Sequence, residues 1–273
     1  MSHSRASAVA AGLGLLIAGY PFACAWEARP ASAIVADIMR ADYEAHLPAL
    51  LRLHEELVAP AREALGASRI RYWRGFARWR RAINGVNDGA PAPQMMDDLQ
   101  AAVREFEAAL DIDPRFVDAR AGLLSALGIQ LFLLGGDSAR MQPLIDKARP
   151  IVTALRSETQ DNPRTLWVLG QSDWRTPPGW SREQVIARQE KVIASYLRGL
   201  ELARAQPQPC EGILEPRWGE PELLMNLAWS NLNKAVPDLQ AAERYARDAL
   251  TLVPYWHYVR DILLPQIQSQ QRR

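Results

Sequence analysis

Residues 99–114 read LQAAVREFEAALDIDP, and residues 239–254 read LQAAERYARDALTLVP. Eight of the 16 aligned positions are identical: Leu99/Leu239, Gln100/Gln240, Ala101/Ala241, Ala102/Ala242, Arg104/Arg244, Ala109/Ala249, Leu110/Leu250 and Pro114/Pro254. In both stretches apolar residues recur at three- and four-residue steps, the mark of an amphipathic helix. The proline closes each stretch, because it lacks an amide proton and its ring clashes with the preceding turn. The copies lie 140 residues apart, four times 35. Self-similarity at such a spacing points to a chain built from repeated helical units.

The spacing within the first copy is more specific. Ala102 is followed by Phe106 four residues on, by Ala109 three further and by Pro114 five further. This resembles the second helix of a tetratricopeptide repeat, in which small residues let two helices approach closely and an aromatic fills the gap to the next hairpin. The second copy keeps Ala242, Ala249 and Pro254, but has Ala246 at the aromatic position, with Tyr245 one place earlier. Asp161-Asn162-Pro163 resembles another unit end, with Leu155 at the aromatic position and Glu158 where alanine is expected. The first helices lack the family's Trp, Leu-Gly, Tyr series. The resemblance implies an all-α, tetratricopeptide-like helical-hairpin solenoid with degenerate repeats, irregular insertions and a C-terminal capping helix. Stacked hairpins bind through their concave surface, so it also implies a scaffold for a protein or peptide partner.

Helical periods continue on both sides of the repeat pair. They cover Ile34 to Leu65, which Pro48 and Pro60 divide, and a second helix from a Ser68 cap to Ile83, ending at Asn84-Gly85. A loop is expected over Asn87 to Pro93, then helices over 94–112, 116–134, 138–159, 181–205, 221–232, 239–252 and 255–268. No stretch alternates with a two-residue period between turns, so essentially no sheet is expected. The 42 alanines and 34 leucines among 273 residues agree, since both rank high in helix propensity.

The start of the chain reads differently. Residues 1–25 carry one formal charge, Arg5, then an apolar run from Ala6 to Phe22 and the small triplet Ala23-Cys24-Ala25. A positive start, a short apolar stretch and an A-x-A end describe a secretory signal peptide. Ala31-Ser32-Ala33 is a second candidate cut. Pro21-Phe22-Ala23 before Cys24 fits a lipobox poorly, so lipid anchoring is the lesser expectation. The mature chain is then one helical domain over residues 34–273 in a bacterial periplasm, or secreted, with no stable membrane insertion. It keeps Cys210 alone, which excludes an intramolecular disulfide.

Two segments carry candidate binding residues. Residues 69–81 read RIRYWRGFARWRR. On a helix Tyr72, Phe76 and Trp79 share one side, while Arg71, Arg74 and Arg78 share another. Such a stretch is either a core aromatic stripe under a solvated arginine face, or a groove in which arginine forks hold a carboxylate or phosphate. Residues 170–180 read GQSDWRTPPGW, placing Trp174, Arg175 and Trp180 among turn formers. Aromatics in such a loop either fold back onto the core or form a contact surface. Trp218 precedes Gly219-Glu220-Pro221 and is expected to staple a helix start.

Charge and motifs narrow the function classes. A net charge of +1 lacks the basic excess of a nucleic-acid binder. His46 and His54 lie eight apart with Asp42 nearby, but no H-E-x-x-H or C-x-x-C spacing marks a metal site. No nucleophile elbow, phosphate loop or dinucleotide glycine motif is present, and neither a cofactor nor an enzyme activity is expected. The leading expectation is an exported scaffold for a protein or peptide partner. The second is a periplasmic small-molecule-binding or transporter-accessory protein, similar to tetratricopeptide proteins associated with TRAP-type transporters.

Overall fold

The computed structural model describes residues 29–59, 64, 66–158, 161–207 and 214–273. The expected leader with its cut after Ala25, Cys24 and Cys210 lie outside the described residues. The described chain is helical and, among these residues, contains no strand. In order come α1 (Ala31–Tyr43), α2 (Leu47–Glu56), α3 (Ala67–Asp88), α4 (Ala92–Ile112), α5 (Val117–Leu133) and α6 (Ser138–Glu158). Then follow α7 (Pro163–Asp173), α8 (Arg182–Arg204), α9 (Glu220–Asn233), α10 (Leu239–Leu252), a π-helical turn (Tyr258–Leu263) and α11 (Leu264–Gln271). Among the described residues no helix is long and apolar enough to cross a membrane.

Local chemistry sets most of the helix ends. Asp238 caps α10 by accepting the Ala241 amide at 2.9 Å, and Pro254 follows the helix. Asn162 caps α7 through the amides of Arg164 and Thr165, with Pro163 in the first turn. Ser181 and Gln184 bond reciprocally at the start of α8, a capping box. Two boundaries move from their expected places. The α3 helix starts after Gly66, leaving Ser68 inside the first turn, and it runs through Asn84-Gly85 to a left-handed Gly89. Tertiary contacts override the stop signal there. Asn84 spends its amide on the Asp42 carbonyl and carboxylate, and Gly85 lies close under Ala90 and Met95. The second candidate leader cut forms the first turn of α1.

The helices form two layers of hairpins. Odd-numbered helices touch in succession, α1 with α3, α3 with α5, α5 with α7 and α7 with α9, while even helices pack beside them. A shared apolar core runs from Ile34 to Ile267. This is the stacking of a helical-hairpin solenoid, as the repeat pair leads one to expect.

Phe106 shows how the hairpins lock. Its ring is fully buried and fills the gap between two glycines on the flanking first helices. A Cβ added at Gly75 would come within 2.9 Å of the ring, and one added at Gly122 within 2.6 Å. Ala102 and Ala109, four before and three after, are fully buried too. In the second copy Ala242, Ala246 and Ala249 are equally buried. Each unit ends before its proline, at Asp113 and Val253 respectively. The hairpin α7–α8 repeats the device with different residues. Tyr196 packs against Gly170, where an added Cβ would meet the ring at 2.2 Å.

The C-terminal segment closes the stack. Trp256, Val259, Leu263 and Ile267 are buried, and the His257 ring bridges Asp88 at the end of α3 and Asp261 on its own turn. Replacing Phe106 by Ala should therefore cost about 3–5 kcal/mol in urea unfolding, the usual loss for a buried aromatic. A cost under about 1 kcal/mol would mean that the ring does not join the hairpins.

Candidate functional site

The aromatic side of residues 69–81 belongs to the interior. Tyr72, Phe76 and Trp79 are fully buried and Trp73 nearly so. Their neighbours come from distant hairpins. Trp79 meets Trp167 of α7 edge-on, with ring centroids 5.9 Å apart. Trp218 lies among them, 5.5 Å from Trp167, 5.8 Å from Trp79 and 5.7 Å from Phe76. Its indole N–H donates to the Tyr72 hydroxyl at 2.7 Å, and its carbonyl accepts from Arg164 at 3.0 Å. Arg164 is buried against Asp118. Trp218 is thus a central plug, beyond the staple role expected of it. Gly219 follows at φ 139°, a backbone conformation that favours glycine.

The closed end of this interior is charged. Arg80, 3% exposed, holds the fully buried Asp42 through Nε at 2.8 and 2.7 Å. The Tyr43 hydroxyl donates to Glu222 at 2.7 Å, across 179 residues of sequence. Glu222 also accepts the Gly219 amide at 2.8 Å. Burial pushes the Glu222 carboxyl upward, against the pull of Arg80, and burial beside Glu222 pushes the Tyr43 hydroxyl well up. First and ninth helices therefore meet around one polar cluster. The side of the odd-helix layer that Trp218 covers is filled by the protein's own side chains.

Four other arginines of the same helix, Arg71, Arg74, Arg78 and Arg81, face α2 and α4. Arg71 and Arg74 share Glu105 at 3.1 and 2.7 Å. Arg78 and Arg81 share Asp98 at 3.1 and 2.5 Å. Arg74 also donates to the carbonyls of His54 and Leu57, closing the end of α2. Arg69 pairs with Asp113 and Glu215. The four central guanidiniums and two carboxylates form a ladder between helices. That arrangement corrects the idea of an open anion groove on this face. Tyr72 has no surface for a ligand, and Arg71, Arg74 and Arg78 already hold carboxylates of the same chain. The imagined grouping of Asp42, His46 and His54 also separates. His46 caps α2 through the Ala49 amide, His54 bonds the Arg74 carbonyl, and Asp42 holds Arg80. Among the described residues no group of three or more His, Cys, Asp or Glu is placed to hold a metal ion.

The α7–α8 loop divides its candidates. Trp174 caps α7 and packs edge-on against Trp229 of α9, with centroids 5.4 Å apart. Arg175 is exposed, and Trp180 is 38% exposed. So one loop tryptophan folds back and the other stays at the surface.

A cleft of about 520 Å³ lies on the α7–α8 hairpin beside the end of α6. Leu166, Leu169 and Gly170 of α7 form its floor with Val192 of α8. Arg188, Lys191, Ser195 and Arg198 line the α8 wall, and Arg156 and Asp161 flank it. Asp173 accepts from Arg156 at 2.5 Å and from Arg188 at 2.8 Å. None of these residues is among the candidates expected from sequence. The three-, four- and three-residue steps along α8 were a visible signal for one wall. The approach of Arg156 from another hairpin left no trace in sequence.

No protein-family model, curated protein or solved structure matches the chain.

The ladder gives a direct test. Asp98 is almost fully buried between its two arginines, so Asp98→Asn should destabilise by about 3 kcal/mol or more, as when a buried pair loses one partner. Arg71 is the more exposed member, and Arg71→Gln should cost at most about 1 kcal/mol. Chemical denaturation of both variants measures the difference. Equal, small losses would make the ladder ornamental.

Proposed function

We propose that the chain is an exported, tetratricopeptide-like scaffold that engages a protein or peptide partner. Three things support the reading. The internal repeat carries the small, aromatic, small, proline spacing of such arrays. The hairpins stack around those residues, as Phe106 does between Gly75 and Gly122. The first 25 residues have the pattern of a bacterial secretory leader, which favours the periplasm or the exterior.

One observation supports a particular surface for this partner. Trp180 stands exposed in a polar loop beside Arg175 and Arg182, while the other loop tryptophan is tucked against α9. Tryptophan and arginine are the residue types that most often dominate binding energy at interfaces. The inner side of the stack is occupied by Trp218 and its neighbours, so recognition falls to the outer α7–α8 edge. Binding, rather than bond-making chemistry, is the role this assigns.

A photoreactive phenylalanine at position 180, expressed in envelope-bearing cells, tests the idea. It should give a discrete covalent adduct, absent when the same group replaces exposed Thr251 on α10. Trp180→Ala should lower partner recovery about tenfold or more, the loss expected for a central anchor, while leaving the unfolding midpoint in place. Identical adducts at both positions, or none at either, would contradict the assignment.

A further inference from the structure

The cleft on the α7–α8 hairpin has a division of labour that its neighbours do not share. At one end, Asp173 is wholly engaged. Its carboxylate takes Arg156 and Arg188, and its backbone carbonyl takes Arg188 Nε at 2.7 Å. These bonds fix two guanidiniums at the rim. At the other end the cations are loosely held. Among the described residues Lys191 makes no ion pair. Arg198 reaches Asp161 only at 3.7 Å, and that aspartate is 90% exposed. Its second partner, Glu201 at 3.3 Å, is also well exposed. The lining thus holds four cations against two carboxylates, an excess of two positive charges.

The floor beneath is apolar. Leu166, Leu169 and Val192 supply it together with Gly170. A volume of about 520 Å³ falls within the roughly 300–1,000 Å³ of small-molecule sites. We propose that this cleft binds a small organic carboxylate with an apolar body. The carboxylate lies between the Lys191 ammonium and the Arg198 guanidinium, with the Ser195 hydroxyl between them on the same face of α8. The body lies on the leucine floor. An inorganic anion would leave that floor bare, and a neutral molecule would leave Lys191 unpaired. Charge-assisted bonds of this kind are about twice as strong as neutral ones. Trp180 is not among the residues that line the cleft.

The experiment is calorimetric titration of the purified mature chain at low salt with 3-phenylpropanoate. Its neutral amide, inorganic phosphate and a capped Glu-Glu-Leu peptide serve as comparisons. The acid should bind and raise the thermal midpoint, since a ligand of the native state alone stabilises it. The amide and phosphate should not. Lys191→Gln combined with Arg198→Gln should weaken the acid about tenfold or more. Both residues are exposed, and an unchanged helical circular dichroism spectrum confirms folding. Trp180→Ala should leave this binding intact, so failure of the partner assignment and failure of this one are read separately. The proposal is overturned if the acid does not bind, if the amide or phosphate binds equally well, if only the peptide binds, or if the double variant binds as the parent does.

Discussion

The architecture depends on Trp218. It sits in the connection before α9, yet its ring lies against α3 and α7, and its indole N–H reaches Tyr72. Hairpin stacks usually curve around an open groove. Here the curl is tight enough that non-adjacent hairpins meet, and the tryptophan fills the centre. Trp218 makes one edge-to-face pair, with Trp167, and two tilted ones, with Phe76 and Trp79; an edge-to-face pair adds roughly 0.5–1.5 kcal/mol beyond burial. Among the described residues, the indole N–H groups of Trp79 and Trp167 find no hydrogen-bond acceptor.

The polar cluster at the closure works in a different way. Burying Asp42, Arg80 and Glu222 together carries a large desolvation cost, and a buried ion pair adds little net stability. It does fix register. Arg80 Nε donates to both oxygens of the Asp42 carboxylate at the end of α1, and Asn84 one turn on donates to the same residue's backbone carbonyl. Tyr43 then reaches Glu222 at the start of α9. An apolar contact would tolerate sliding of α1 along the stack, whereas these bonds accept one position. The arginine ladder between α3 and α4 is the same device applied within a hairpin.

What was legible in sequence follows from what is local. The helices, their caps and the repeat are written in spacings of three and four residues and in prolines, so α10 falls where the periodicity places it. The small-aromatic-small device was legible in α4. It was missed in α8 because Tyr196 is paired with Gly199 instead of alanine, and Gly170 reads as the start of a loop. The fate of the arginines could not be read from residues 69–81 alone. Whether Arg74 faces water or Glu105 depends on how α4 docks, which no local pattern encodes. The division of Trp174 from Trp180 is likewise decided by Trp229, 55 residues away in sequence. The cleft required three elements to converge, and only one left a pattern.

Closure of the stack on itself leaves no open groove between the first and last hairpins. A double-mutant cycle on Tyr43→Phe and Glu222→Gln measures it most directly. The two side chains are far apart in sequence and meet only if α1 touches α9. Unfolding free energies of the two single variants and the double variant should show a coupling of about 1 kcal/mol or more, as for residues sharing a hydrogen bond. Additive losses, with coupling indistinguishable from zero, would mean that the first and last hairpins stand apart and that the inner groove is open.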